Sequence, residues 1–276
     1  MATNGRARTI GVCLIALLAA ASVIPGASAK QPEKRARASI IGGLKADLAQ
    51  WPFAAAVFRK GRFHCSGSVI APSKVLTAGH CVDGFKPFTL SVVTGRFRLS
   101  DASSGESFGA IAAEAHPDFH RRQIHDVGVI TLDRPTTAPP ISLPTADEGA
   151  SFGYPGQLLR VGGWGARNPF GFKLSKVLRA ATEQVRVDRR CRKAYHNLHV
   201  VPAMICASGR RIGKYGRPSI HETACTGDSG GPLVADLPRG PVVIGTVSFG
   251  GALCGLGAAP TVYSRVSDSL AFIGSA

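Results

Sequence analysis

Residues 227–232 read Gly-Asp-Ser-Gly-Gly-Pro, and the small residues on both sides of Ser229 allow the backbone to curl around its hydroxyl. In such a turn the N–H groups of Gly227 and Ser229 are candidates for an oxyanion hole, which traps a developing negative charge. A serine becomes a useful nucleophile only beside a base. Asp228 has no partner nearby in the sequence, and a buried carboxylate there requires a cation. The alternative interpretation is a Gly-rich turn with an ordinary surface serine.

Two other segments supply the missing base and acid. Residues 75–81, Val-Leu-Thr-Ala-Gly-His-Cys, read as a strand that ends at His80, and histidine titrates nearest neutral pH. In residues 125–132, His-Asp-Val-Gly-Val-Ile-Thr-Leu, Asp126 enters an apolar run, which is costly unless its carboxylate is hydrogen-bonded. Together with Ser229, these segments resemble the trypsin/chymotrypsin-like serine peptidases.

The resemblance covers about residues 40–273 and implies a role for each of these side chains. Ser229 is the expected nucleophile, His80 the general base, and Asp126 the acid that orients the imidazole. The chain order His, Asp, Ser separates this interpretation from the subtilisin-like and α/β-hydrolase alternatives. The expected reaction is hydrolysis of a peptide bond in a protein or peptide substrate.

The implied fold is all-β, with two packed antiparallel six-stranded barrels of the chymotrypsin type and the active site between them. The N-terminal barrel is expected over about residues 40–144 and the C-terminal barrel over about 145–276. Short apolar runs separated by turn signals agree with this class. Residues 186–197 and 266–273 are predicted to form short helices, the second with Ser267 as a possible cap.

The first 39 residues are predicted to be removed from the active protein. Residues 1–29 have a positive start, an apolar run and an Ala-Ser-Ala end, which is typical of a secretory signal peptide. Residues 30–39 are predicted to form a pro-segment. The segment Ile40-Ile41-Gly42-Gly43 resembles the family's mature start, which implies pairing of the new Ile40 α-amino group with Asp228. Ser39, in place of Arg or Lys, departs from the usual activation site; the alternative is that Ile40 and Ile41 begin an ordinary strand.

Cysteine usage agrees with secretion. Of the seven cysteines, Cys13 lies in the predicted signal peptide, and the other six are expected to pair in an oxidising compartment. Sequence alone permits fifteen connectivities for six cysteines. With the resemblance, the expected pairs are Cys65–Cys81, Cys191–Cys206 and Cys225–Cys254.

The family pattern also implies which residues form the primary specificity pocket. Its floor is expected at Thr223, where Lys- or Arg-specific members carry Asp. The expected substrate-binding residues are Thr223, Ser248, Phe249, Gly250 and Thr261. Because two threonines narrow the pocket, we predict cleavage after small or medium uncharged residues. The alternative is cleavage after Lys or Arg through Glu222.

Composition adds the remaining expectations. The formal net charge is +16 and 45% of residues are hydrophobic, which suffices for a core. No nucleic-acid motif accompanies the positive charge, so we expect no nucleic-acid partner. No cofactor or metal is expected, because Asp101 and Glu106 are too few for a calcium cage. We further expect no stable membrane insertion and a monomer. Outside enzymes, the alternative is a non-catalytic secreted basic binding protein on the same scaffold.

Overall fold

A computed structural model describes residues 1–2, 40–122, 124–196, 203–212, 220–256 and 259–276, with the side chains of 120–122 and 150 outside that description. The predicted signal peptide and pro-segment therefore lie outside the described residues, apart from residues 1–2, and both remain predictions. The described part of the mature region is dominated by antiparallel strands.

The first barrel closes through six strands in the order β2-β3-β4-β7-β6-β5. Side chains alternate between two faces along a strand. Ala55 and Val57 of β2 point into this barrel, whereas Ala54 and Ala56 join a second cluster between the barrels. Both faces of β2 are thus buried, which explains why the sequence of this strand is apolar from Ala54 to Phe58 without alternation. The strands are β2 (Ala54–Arg59), β3 (Arg62–Ala71), β4 (Lys74–Thr77), β5 (Leu90–Thr94), β6 (Glu106–Ala115) and β7 (Gly128–Leu132).

The second barrel also contains six strands, and it is closed by pairing of β8 with β9. A buried cluster that includes Leu159, Val161, Leu233 and Tyr263 fills its interior. The fold prediction of two six-stranded antiparallel barrels is confirmed. The strands are β8 (Leu158–Gly163), β9 (Arg179–Val185), β10 (Met204–Gly209), β11 (Pro232–Leu237), β12 (Gly240–Phe249) and β13 (Thr261–Arg265).

Each end of the segment from residue 40 to residue 276 packs on the barrel that is distant in sequence. Near the start, β1 (Leu44–Lys45) pairs with β9 of the second barrel. At the other end, Lys74 of the first barrel donates a hydrogen bond from Nζ to the Ala276 carbonyl, at 2.6 Å. These contacts tie the two barrels together. The barrel limits near residues 144 and 145 remain predictions.

Four short α-helices lie outside the barrels within the described residues: α1 (Pro117–Arg122), α2 (Ala146–Ser151), α3 (Asp188–Tyr195) and α4 (Leu270–Ser275). Helix α3 falls inside the predicted range, and α4 is the short C-terminal helix. The Ser267 cap was a wrong prediction, because Ser267 begins a 3₁₀ turn and Ser269 precedes α4 without a side-chain cap. None of the helices in the described ranges has the length and apolar character that crossing a bilayer demands.

All three expected disulfides are present. Cys65–Cys81 joins β3 to the 3₁₀ turn Gly79–Cys81, and Cys191–Cys206 joins α3 to β10. Cys225–Cys254 connects the segment before Ser229 with the loop after β12. Each bridge therefore holds a segment on which the proposed site depends.

Candidate active site

His80 is fixed in position by its backbone as well as by its ring. It lies in the middle of the 3₁₀ turn Gly79–Cys81, immediately after β4, and the Cys65–Cys81 bridge anchors that turn to β3. The side chain is 35% exposed, so one edge of the imidazole faces solvent. Gly79 leaves room for its neighbours, since a Cβ there would come within 3.0 Å of the Phe119 ring and 3.2 Å of Asp126.

Asp126 is buried, and its carboxylate accepts three hydrogen bonds. Its Oδ2 atom lies 2.8 Å from His80 Nδ1, and Oδ1 accepts the His80 backbone N–H, also at 2.8 Å. Ser248 Oγ donates to Oδ2 at 2.6 Å. The carboxylate therefore holds the proton of His80 on Nδ1, which leaves Nε2 as the proton acceptor.

The loop that carries Ser229 is held by both barrels. From the first barrel, Ser66 donates its backbone N–H to the Ser229 carbonyl at 2.8 Å. From the second, the Val247 carbonyl accepts the Gly230 N–H at 2.8 Å. Ser66 follows Cys65, and the disulfide from Cys65 to Cys81 reaches the neighbour of His80. Val247 precedes Ser248, whose hydroxyl donates a hydrogen bond to Asp126. These links place the Ser229 loop at the same seam between the barrels as His80 and Asp126, but among the described residues the Ser229 hydroxyl makes no hydrogen bond to His80.

The turn around Ser229 leaves two backbone donors available. Gly227 and Gly230 have φ angles of 92° and 75°, in the left-handed region that glycine adopts without strain. Among the described residues, neither the Gly227 nor the Ser229 N–H donates a hydrogen bond. Both groups can therefore bind a substrate oxygen, as an oxyanion hole requires.

Asp228 is buried without a cation among the described residues. Its carboxylate accepts the Gly165 N–H at 2.8 Å and the Cys225 N–H at 2.9 Å. Burial raises the pKa of Asp228 to about 7, although both N–H donors favour the ionised form. Ile40 is fully buried in the core of the second barrel, and Ile41 exchanges backbone hydrogen bonds with Thr223 at 3.0 and 3.1 Å. The pairing of an Ile40 α-amino group with Asp228 remains a prediction.

The two threonines of the predicted pocket contact each other. Thr223 Oγ1 lies 2.5 Å from Thr261 Oγ1, and both side chains are buried. Phe249 packs edge-on against Tyr195, with ring centroids 5.2 Å apart. A Cβ atom at Gly250 would meet nothing within 4 Å, so this wall is open.

Glu222 turns away from these threonines. Its Oε1 accepts a hydrogen bond from Arg210 Nε at 2.8 Å. With Arg210, Gly42 and Arg160 it lines a cavity of about 650 Å³, whose lining includes neither Thr223 nor Thr261. This arrangement follows from the extended backbone, on which consecutive side chains point in opposite directions.

Sequence reasoning missed two features of the site. It assigned Ser248 to substrate binding alone, whereas the Ser248 hydroxyl supports Asp126. It also passed over Glu183, a completely buried acid of β9 whose Oε1 accepts the Ala224 N–H at 3.2 Å. A signal was available, because Glu183 is an acid among the uncharged residues that follow Arg179 in β9.

Among the described residues, one group of potential metal ligands includes His80 of the candidate site. Ligand atoms of Cys65, His80 and Cys81 fall within 4.8 Å of one another. Both sulfurs are joined in the disulfide, so this group offers a single imidazole and does not fit a metal ion.

The two barrels, the His80–Asp126 pair and the glycine-rich turn at Ser229 together define the class. The family model for trypsin matches residues 40–273, and the chain belongs to the trypsin family.

The similar proteins include two that are named glucanase inhibitor proteins and one that is named trypsin. Glucanase inhibitor protein 3 from Phytophthora infestans is 32% identical over 270 residues, which cover 95% of this chain and 97% of that protein. Glucanase inhibitor protein 2 from Phytophthora sojae is 31% identical over 265 residues, covering 94% and 86%. A trypsin from Saccharopolyspora erythraea is 34% identical over 230 residues, covering 82% and 93%. Family membership therefore defines the fold, and the activity has to be argued from the site.

Proposed function

We propose that this protein is a secreted serine endopeptidase that cleaves protein or peptide substrates through Ser229, His80 and Asp126. The observation that carries the proposal is the buried Asp126 carboxylate, which is bonded to both the ring and the backbone of His80. A histidine held in this way is oriented for proton transfer at its other ring nitrogen.

The reaction is acyl transfer in two halves. Ser229 Oγ attacks the scissile carbonyl carbon while His80 Nε2 takes the hydroxyl proton, and Asp126 stabilises the resulting imidazolium. The Gly227 and Ser229 N–H groups bind the oxyanion. His80 then protonates the leaving amine. A water molecule repeats the sequence on the acyl-enzyme and releases Ser229.

Secretion and processing belong to the same proposal. Three disulfides are typical of an extracellular protein. Cleavage before Ile40 would create an α-amino group on a residue that is already packed in the second barrel. Its positive charge would then compensate the buried Asp228 carboxylate and order the oxyanion turn.

For the primary pocket we propose small or medium uncharged substrate side chains. The support is the Thr223–Thr261 contact, which fills space and supplies hydroxyls in place of a carboxylate. The Lys/Arg alternative through Glu222 is less well supported, since Arg210 already binds that carboxylate. Loss of cleavage after Lys or Arg on Glu222→Gln substitution would revive this alternative.

The central experiment compares wild type, Ser229→Ala and Ser151→Ala, an exposed-helix serine control. Each is secreted from the full chain, and its N-terminus is sequenced to identify the processed form. We expect kcat/KM on a peptide library to fall about 10⁶-fold in Ser229→Ala. A fluorophosphonate should label only the wild type and Ser151→Ala. Equal turnover in Ser229→Ala would refute the assignment.

A second candidate function is binding without catalysis, as a secreted basic protein on a peptidase scaffold. It is favoured by the similarity to two relatives named glucanase inhibitor proteins. The complete set of Ser229, His80 and Asp126 argues against it. Processed wild-type protein that begins at Ile40, binds a glucanase and does not react with fluorophosphonate would favour this candidate over the peptidase.

A further inference from the structure

The floor of the primary pocket lies next to a buried acid that the proposed mechanism does not use. Glu183 is fully buried in β9, and its Oε1 accepts the N–H of Ala224, the residue after the pocket-floor threonine. Its other oxygen, Oε2, has no aligned hydrogen-bond partner among the described residues. Leaving such a group in the interior is costly, so it requires an explanation.

A row of hydroxyl groups leads from this acid to the pocket. The fully buried Tyr263 hydroxyl interacts with both the Glu183 carboxyl and the Thr261 hydroxyl. The Tyr263 hydroxyl and Glu183 Oε2 both lack an aligned hydrogen-bond partner among the described residues, so the row requires the Tyr263 hydroxyl to move into line with its two neighbours. Thr261 in turn contacts Thr223 at 2.5 Å. The order is therefore Glu183, Tyr263, Thr261, Thr223 and then the substrate side chain.

We infer that Glu183 is a further specificity-determining residue, which sets the direction of the hydrogen bonds across the pocket floor and so selects donor-bearing substrate side chains when it is ionised. This inference rests on the proposed peptidase function. A carboxylate can only accept, so Tyr263 donates to Glu183, Thr261 to Tyr263 and Thr223 to Thr261. Thr223 then presents only lone pairs to the substrate.

Protonation of Glu183 reverses the row. A neutral carboxyl donates to Tyr263, each hydroxyl donates to the next, and Thr223 presents its hydrogen to the pocket. Burial raises the pKa of Glu183 to about 7, which puts the reversal within the working range of a histidine base. The charged or titratable groups that act on Glu183 are Tyr263, Asp228 and Arg186, and burial, together with Glu183, raises the pKa of Tyr195.

Three nearly isosteric substrate side chains test the direction of the row. Peptides carry homoserine as the uncharged side chain that can donate, norvaline as the apolar reference, or O-methylserine as the side chain that can only accept at the cleaved position. At pH 8 we expect wild type to prefer homoserine over O-methylserine in kcat/KM by about ten-fold or more, because only homoserine can donate to Thr223. At pH 6 the homoserine-to-O-methylserine ratio should fall towards unity, because both side chains can accept from Thr223. Titration of His80 cancels, because each measurement is a ratio between substrates.

Two variants test whether this substrate preference depends on Glu183 and on the row of hydroxyl groups. Glu183→Gln should bring the homoserine-to-O-methylserine ratio at pH 8 to within about three-fold of unity and leave norvaline cleavage nearly unchanged. Tyr263→Phe interrupts the row but keeps the acid, and it should have the same effect if the Gln variant fails to fold. A pH dependence of the ratio that persists unchanged in Glu183→Gln would also count against the inference.

An unchanged ratio in folded, cleaving Glu183→Gln and Tyr263→Phe proteins would overturn the inference. Failure of the peptidase proposal looks different, because no substrate would be cleaved and fluorophosphonate would not label Ser229.

Discussion

At the scale of single residues, Asp126 is the side chain on which the site depends most. It accepts from the His80 ring, the His80 backbone and Ser248, and these groups come from distant parts of the chain. The cost of an acid in an apolar run indicated that Asp126 needs a hydrogen-bond partner, and the family resemblance implied that this partner is His80. The Ser248 contact could not be read in the same way, because only closure of both barrels brings β12 against this loop.

Substitution of Asp126 by Asn tests its orienting role. The amide keeps the size of the side chain but favours the wrong imidazole tautomer, so kcat should fall about 10⁴-fold. Ser248→Ala is the matched control, since it removes one donor and leaves the carboxylate; we expect a loss of roughly ten-fold or less. Steady-state kinetics of processed proteins measure both, and a larger loss in Ser248→Ala than in Asp126→Asn would contradict this assignment.

At the scale of elements, two disulfides close loops of nearly equal size in different surroundings. Cys65–Cys81 spans 16 residues and holds the turn of His80, whereas Cys191–Cys206 spans 15 and anchors α3. Their pairing agreed with the prediction from the resemblance. Which of them matters for catalysis depends on what each one anchors.

Removal of either bridge by a double Cys→Ala substitution should lower the free energy of unfolding by about 3 kcal/mol, because the loops are alike. Only loss of Cys65–Cys81 should also lower kcat, by about ten-fold or more, since the backbone of His80 is then less constrained. Loss of Cys191–Cys206 should act mainly on KM through Tyr195 and Phe249. Guanidinium denaturation and steady-state kinetics distinguish these effects, and equal kcat losses would count against the anchoring role.

At the scale of the whole molecule, the second barrel encloses two acids in its interior or at its rim. Burial raises the pKa of Glu183 and of Asp228 to about 7, from ordinary values of 4.5 and 3.8. The folded chain therefore holds these protons to a higher pH than the unfolded chain. Their contribution to stability falls as the pH rises from about 4 to about 7 and is level above that.

This prediction is tested on uncleaved Ser229→Ala protein, which cannot digest itself. We compare the free energy of unfolding at pH 8 minus that at pH 5 in proteins with and without Glu183→Gln. Glu183→Gln should raise this difference by on the order of 2–3 kcal/mol. Urea denaturation at the two pH values gives the difference. Processing before Ile40 should remove much of the Asp228 contribution by supplying an ammonium group. An identical pH dependence with and without Glu183→Gln would show that this acid is not buried as described.

What the sequence by itself determined was local: the types and order of His80, Asp126 and Ser229, the alternation that predicts short strands, and the six cysteines that follow residue 40. These patterns follow from short-range sterics, side-chain periodicity and the chemistry of each residue. The tertiary structure alone decided that Glu222 turns to Arg210, that Ser248 supports Asp126 and that Glu183 lies behind the pocket. The physical reason is that the partner and burial of a polar side chain are settled only when barrel closure joins strands that are distant in the chain.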